Sequence, residues 1–236
     1  MIMSQPDGPR IALIHALEAS VLPIRQAFQT HWPEAVCADL LDTSLSADLA
    51  AAGKLDAAMV KRFTTLGDYA AGITGEGGKT RAVLFTCSAF GPAIEAVRQR
   101  LPIPVLKPNE AAFEQALALG RNIALVVTFA PSQSALGEEL RQMAAVRGIE
   151  IAVTPVMVQG ALAALNAGDP ERHDTLVAEA CTALPTVDAI VLGQFSLARA
   201  KAALTAVTSA PILTTPDSAV LALRSRLAIP AQEDRA

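Results

Sequence analysis

Apolar residues recur along this chain in short runs. Each run is followed by a loop and then by a stretch with apolar positions at helical spacing. The runs fall at residues 11–14, 82–85, 123–127, 149–153 and 189–192. Helical patterns fit residues 21–30, 92–100, 110–119, 136–147, 161–167, 172–183 and 218–226. Pro92, Pro102, Pro104, Gly148 and Gly168 punctuate the boundaries. Strands that alternate with helices predict parallel sheets covered on both faces.

The pattern also repeats. IALIHALEAS, from Ile11, resembles IALVVTFAPS, from Ile123, 112 residues later. AVLFTCSAFGPAIEAV, from Ala82, resembles AIVLGQFSLARAKAAL, from Ala189, 107 residues later. Pro104, Val105 and Leu106 match Pro211, Ile212 and Leu213 at the same 107. Three matches in one order point to duplicated α/β halves. Ligands of open parallel sheets bind at the carboxyl ends of the strands. Function is therefore expected in the loops 15–20, 86–90, 128–134 and 193–196.

Composition narrows the class. The chain has 236 residues, 52% hydrophobic and 18% charged, enough to bury a sizeable core. Aromatics make up only 4%, so Ala, Val, Leu and Ile must fill that core. A net charge of −4 without a basic stripe gives no footprint for nucleic acid or an anionic membrane. The three cysteines lack C-x-x-C spacing, which argues against a disulfide framework or a zinc site. The polar amino terminus and strand-length apolar runs predict neither a signal peptide nor a membrane span, and a cytoplasmic location. No G-x-G-x-x-G follows a strand, and no P-loop is present; GEGGK at 75–79 precedes a strand and reads as a loop. No metal-ligand spacing stands out, so neither a cofactor nor a metal is expected.

Cys87 is the candidate for chemistry. It lies just past an apolar run in TCSAFGPAIEAV, before a helix that Gly91 and Pro92 open. Backbone N–H groups there favour a thiolate, which can act as nucleophile or base. The alternative is a small apolar residue ending a strand; the Ser-flanked turn favours the working thiol.

VLFTCSAFGPAIEAVRQRLPIPVL resembles the first cysteine motif of the aspartate/glutamate racemase superfamily, and DAIVLGQFSLARA resembles the second. That superfamily includes glutamate, aspartate and hydantoin racemases, maleate isomerase and arylmalonate decarboxylase. The resemblance implies an α/β fold of two pseudo-symmetric Rossmann-like lobes with parallel sheets and an active site in the interlobe cleft. Its last helix crosses back, so lobe one is 1–107 plus 216–236 and lobe two 108–215. It further implies cofactor-independent chemistry on a small carboxylate or related cyclic amide, and a homo-oligomer. In the racemases a cysteine on each lobe flanks the reacting carbon. Here Cys87 matches the first and Gln194 stands at the second. An amide does not exchange protons near neutral pH, so symmetric two-thiol racemisation is not expected. An isomerase-type reaction with Cys87 as the single working thiol is the leading reading. A decarboxylase or lyase of the same superfamily is the alternative, and a non-catalytic small-acid-binding protein the rival from another class. Cys37, in a strand-like run, and Cys181, in a helical pattern, read as core.

Other groups complete the expected site. His15 ends the first run and could serve as acid or base, or simply hydrogen-bond a loop carbonyl. Glu18 is a second acid–base candidate. Ser20, Ser88, Thr128, Ser132 and Ser196 match the neutral donors with which the superfamily holds a carboxylate. They also suit ordinary turns and caps. Gln194 would donate an amide N–H, and Phe90 and Phe195 either shape an apolar wall or pack the core. His31 and His173 read as surface residues, and the tail 232–236 as mobile.

Overall fold

The computed structural model describes residues 8–228; the tail 232–236 lies outside them. In chain order the elements are β1 (Arg10–His15), α1 (Val21–His31), β2 (Val36–Leu41), α2 (Ser44–Ala52), α3 (Ala57–Gly72), β3 (Thr74–Gly75), β4 (Gly78–Phe85), α4 (Gly91–Arg100) and β5 (Val105–Leu106). They continue with α5 (Glu110–Leu119), β6 (Asn122–Val127), α6 (Ala130–Val146), β7 (Ala152–Met157), α7 (Ala161–Asn166), α8 (Pro170–Cys181), β8 (Ala189–Leu192), α9 (Lys201–Thr205), β9 (Ile212–Thr214) and α10 (Thr215–Ala228). The chain divides into two compact units. The first runs to Thr86, resumes over Phe90–Leu106 and regains the chain from Ala219; the second holds Cys87–Ala89 and Lys107–Ser218.

The first unit has sheet order β2-β1-β4-β3, with β5 also paired to β4. All these pairings are parallel except the β3–β4 hairpin, into which the GEGGK loop folds. The second unit has order β7-β6-β8-β9, wholly parallel. The two sheets repeat residue for residue. Ile11 pairs with Ala82, and Ile14 with Phe85. At the sequence offsets of 112 and 107 these become Ile123 with Ala189 and Val126 with Leu192, which are paired. Val83 with Val105 likewise becomes Ile190 with Ile212.

Alternation along each strand decides which helices it can hold. In β6, Ile123, Leu125 and Val127 pack with Phe113 of α5 and Leu136 and Leu140 of α6. Ala124 and Val126 turn to the other face, toward Val177 and Cys181 of α8. The scarce aromatics of the first unit gather behind its sheet: Phe63 stacks on Phe85 at 5.3 Å and lies 4.7 Å from Phe90. No helix among the described residues is long and apolar enough to cross a membrane.

Two local expectations are corrected. The apolar run from Ile149 does not begin a strand, because it closes a helix. Gly148 takes φ +66° after α6. Its N–H bonds Ala145 O and the Ile149 N–H bonds Ala144 O, a Schellman cap that draws Ile149 back against α6. The strand starts only at Ala152. His173 is not a surface residue. It shares the inward face of α8 with Val177 and Cys181, and is fully buried.

Candidate active site

The duplicated register fixes where the loops begin. The Thr86 N–H donates to Ile14 O at 3.0 Å, and the Gly193 N–H to Val126 O at 2.9 Å. Each bond is the last between its two strands. The next residue is Cys87 in one sheet and Gln194 in the other, and each opens a 3-10 turn, Ser88–Phe90 or Phe195–Ala200. Cys87 and Gln194 therefore occupy equivalent places in their own sheets. Both are half-buried.

The direction of the Gln194 amide is set by chemistry. Its Oε1 accepts from the Thr128 backbone N–H at 2.7 Å and from Thr128 Oγ1 at 2.9 Å. A backbone N–H can only donate, so the atom it meets is the oxygen. The Nε2 hydrogens, which have no protein partner among the described residues, are left as donors. Thr128 spends both its donors on Gln194 and holds it in place. Asn109, at the start of α5, donates its Nδ2 to Gly193 O at 2.7 Å and steadies the same turn from the other side. Its Oδ1 is buried without a partner among the described residues.

The turns after β1 and β6 repeat as well. The Ser20 N–H bonds Leu17 O at 3.1 Å, and the Ser132 N–H bonds Phe129 O at 3.0 Å. Each serine is nearly buried at the start of a helix, where unpaired N–H groups favour an anion. Neither hydroxyl bonds another protein group among the described residues, and the same holds for half-buried Ser88 and Ser196. Glu18 is exposed between Leu17 and Ser20. Phe90 and Phe195 are buried, and Phe90 packs on Phe63 of α3.

The cysteines separate cleanly. Burial pushes the Cys37 thiol up to about 12; the Arg25 charge opposes this and Asp39 adds to it. Burial alone pushes Cys181 up to about 11. A thiol so shifted carries almost no thiolate at neutral pH. No described cysteine is in a disulfide.

His15 is sealed from solvent. Its Nδ1 lies 2.9 Å from Thr86 Oγ1 and its Nε2 3.1 Å from Asp39 Oδ1. The Arg25 guanidinium holds the other Asp39 oxygen, with Nε at 2.8 Å and Nη2 also in contact. The imidazole thus meets side chains, not a loop carbonyl, and no ligand reaches it directly. Burial raises the Asp39 carboxyl pKa, but bonds from His15 and Arg25 and the Arg25 charge outweigh it and hold it below the ordinary value. Sequence reading passed over Asp39, Thr86, Arg25 and Asn109. Asp39 did leave a signal: it interrupts the otherwise apolar VCADLL, and a carboxylate in a strand needs a partner. Among the described residues no cluster of His, Cys, Asp and Glu could hold a metal ion.

Comparison with known proteins gives one consistent answer. A search of curated sequences returns no significant relative. Among solved structures, allantoin racemase from Pseudomonas fluorescens superposes with a TM-score of 0.66 at 17% identity, covering 96% of this chain and 94% of that one. Glutamate racemase from Thermus thermophilus gives 0.66 at 17% identity, covering 95% and 82%. An aspartate racemase homologue from Pyrococcus horikoshii gives 0.62 at 12%, covering 93% and 99%. At these identities the likeness establishes the fold. The family model for Asp/Glu/hydantoin racemase matches residues 24–223, and by that span this chain belongs to the Asp/Glu/hydantoin racemase family.

Proposed function

We propose that the protein is a cofactor-independent isomerase acting at the carbon next to the carbonyl of a small carboxylate or related cyclic amide, with Cys87 as its one working thiol. Relatives named for glutamate and for allantoin support that substrate range. One observation carries the reading. Cys87 stands half-buried in the turn that ends β4, while burial holds Cys37 and Cys181 as protonated thiols.

The thiolate takes the proton from the substrate carbon. The electron pair moves onto the carbonyl oxygen, giving an enediolate. Neutral donors hold its oxygens: the Gln194 amide N–H and the hydroxyls of Ser20, Ser88, Ser132 and Ser196. The new thiol returns its proton to carbon, or loses it to water first. Delivery to the opposite face needs another donor; Glu18 is the exposed carboxyl on these turns.

Gln194 favours a second reading within the family. An amide in the place equivalent to Cys87 suits a reaction that delivers a proton from one side only. Decarboxylation fits: the carbon–carbon bond breaks, carbon dioxide leaves, the electron pair forms the enediolate, and the Cys87 thiol protonates it. The thiolate left behind takes a proton from water, which restores the Cys87 thiol, and the hydroxide released is taken up by the carbon dioxide as bicarbonate.

Proton NMR of a panel of small acids in heavy water separates these readings. Deuterium uptake or isomerisation supports the first, and carbon dioxide loss the second. Saturable binding without turnover makes the chain a small-acid-binding protein. Cys87→Ala should cost at least roughly a hundredfold in rate. Undiminished turnover in that variant rejects the mechanism.

A further inference from the structure

The duplication offers an internal control for the buried polar group beside Cys87. Thr86 corresponds to Gly193, and His15 to Val127. Asp39, which pairs with Leu13, corresponds to Pro155, which pairs with Leu125. All three polar side chains of the first unit correspond to positions in the second that carry no side-chain donor or acceptor. The sheet folds without the network, so the fold does not demand it. Buried polar groups cost stability unless every partner is met, and this set meets them all.

We infer that Asp39, His15 and Thr86 form a positioning chain for Cys87, an inference that rests on Cys87 being the working thiol. Arg25 keeps Asp39 ionised, so Asp39 can only accept. The His15 Nε2 must therefore carry its hydrogen, and in the neutral ring Nδ1 is the acceptor. Thr86 Oγ1 donates to it at 2.9 Å. The charged groups around the ring come from α1 and β2: Arg25, Asp39 and, just past β2, Asp42, whose N–H donates to His15 O at 3.0 Å. The Asp42 carboxylate is itself held by Arg62 of α3 and by Ser44. Thr86 is thus pinned twice, by its N–H on Ile14 O and by its hydroxyl on the imidazole. Cys87 is the next residue along the chain. A nucleophile carried on a pinned residue keeps its geometry, as a metal-bound histidine does when a second partner orients it.

The ring also tolerates a second state. If His15 gains a proton, Nδ1 donates to Thr86 Oγ1 and the hydroxyl turns to Ile14 O, 3.4 Å away. The hydroxyl rotates and no buried group is orphaned.

The test reads the thiol and the ring separately. Alkylation of Cys87 by iodoacetamide, resolved by peptide mass spectrometry, gives the first readout; Cys37 and Cys181 serve as slow internal references. Thr86→Val, which keeps the volume but not the hydroxyl, and Asp39→Asn should each change the Cys87 rate by about tenfold. Thr86→Ser should restore the wild-type rate. Nitrogen NMR of the wild-type imidazole gives the second readout, with Nε2 protonated and Nδ1 bare in the neutral ring. An Nδ1-protonated neutral ring, or an unchanged Cys87 rate in both Thr86→Val and Asp39→Asn, overturns the positioning chain. Full turnover of Cys87→Ala instead rejects the proposed function and leaves the alkylation result standing.

Discussion

The two units are built on one register and finished differently. In the first, the end of the sheet is polar: His15, Thr86 and Asp39 are joined by hydrogen bonds, and the chain leaves Thr86 into the turn that carries the Cys87 thiol. In the second, the same three positions are Val127, Gly193 and Pro155, and the polar bonds lie one residue further on, between Thr128 and Gln194. The duplicated frame thus separates two tasks. On the proposed reading, one end would hold a working sulfur in place. The other is arranged to hold an amide with its hydrogens outward. A difference between copies of one fold shows which groups the fold itself does not need.

That contrast can be broken by substitution. The largest effect is expected from Cys87→Ala, described above, which should cost at least roughly a hundredfold in turnover and leave folding intact. Gln194→Cys makes the second turn chemically equal to the first. It should add proton exchange on the opposite face, seen as racemisation of product in heavy water; unchanged stereochemistry would show that residue 194 does not meet the reacting carbon. His15→Val gives the first unit the residue of the second. It should slow Cys87 alkylation by about tenfold and lower stability by about 1–3 kcal/mol, measured by urea unfolding, because Thr86 and Asp39 each lose a partner.

The smallest effect concerns acid. Asp39 and Asp42 both titrate below the ordinary carboxylate value when folded. Burial opposes this in each, and His15 with Arg25, or Ser44 with Arg62, outweighs it. The unfolded chain therefore binds protons first as pH falls. Stability from these groups is present above about pH 4 and is lost as pH falls through their folded values. Both side chains are partly open to solvent, so screening should keep each contribution under about 1 kcal/mol. Urea unfolding from pH 6 to pH 3 should show a shallower decline in Asp39→Asn than in the wild type.

The strands and the duplication were legible because period and offset are local signals. The offsets of 112 and 107 translate one unit's pairings into the other's. The equivalent places of Cys87 and Gln194 at their strand ends were legible for the same reason. Helix α2 was not, since its Ala-rich sequence has little amphipathic contrast, whereas α3 carries a buried stripe of Met59, Phe63, Gly67 and Ala70 that helical spacing reveals. Ile149 misled because a residue that caps a helix and one that starts a strand are both apolar after Gly. His15 could be placed at a strand end, but its partners lie 24 and 71 residues away, a distance that no local pattern spans.

The grip of Thr128 on Gln194 carries one more implication. Because the main chain selects the carbonyl end of that side chain, exchanging its nitrogen for oxygen would leave the grip in place and turn the outward end from hydrogen-bearing to negative. A single-atom change, Gln194→Glu, would then make this turn repel carboxylates and welcome amines. On the proposed reading, the choice between acids and bases at this turn would rest on which atom the peptide N–H of residue 128 leaves over.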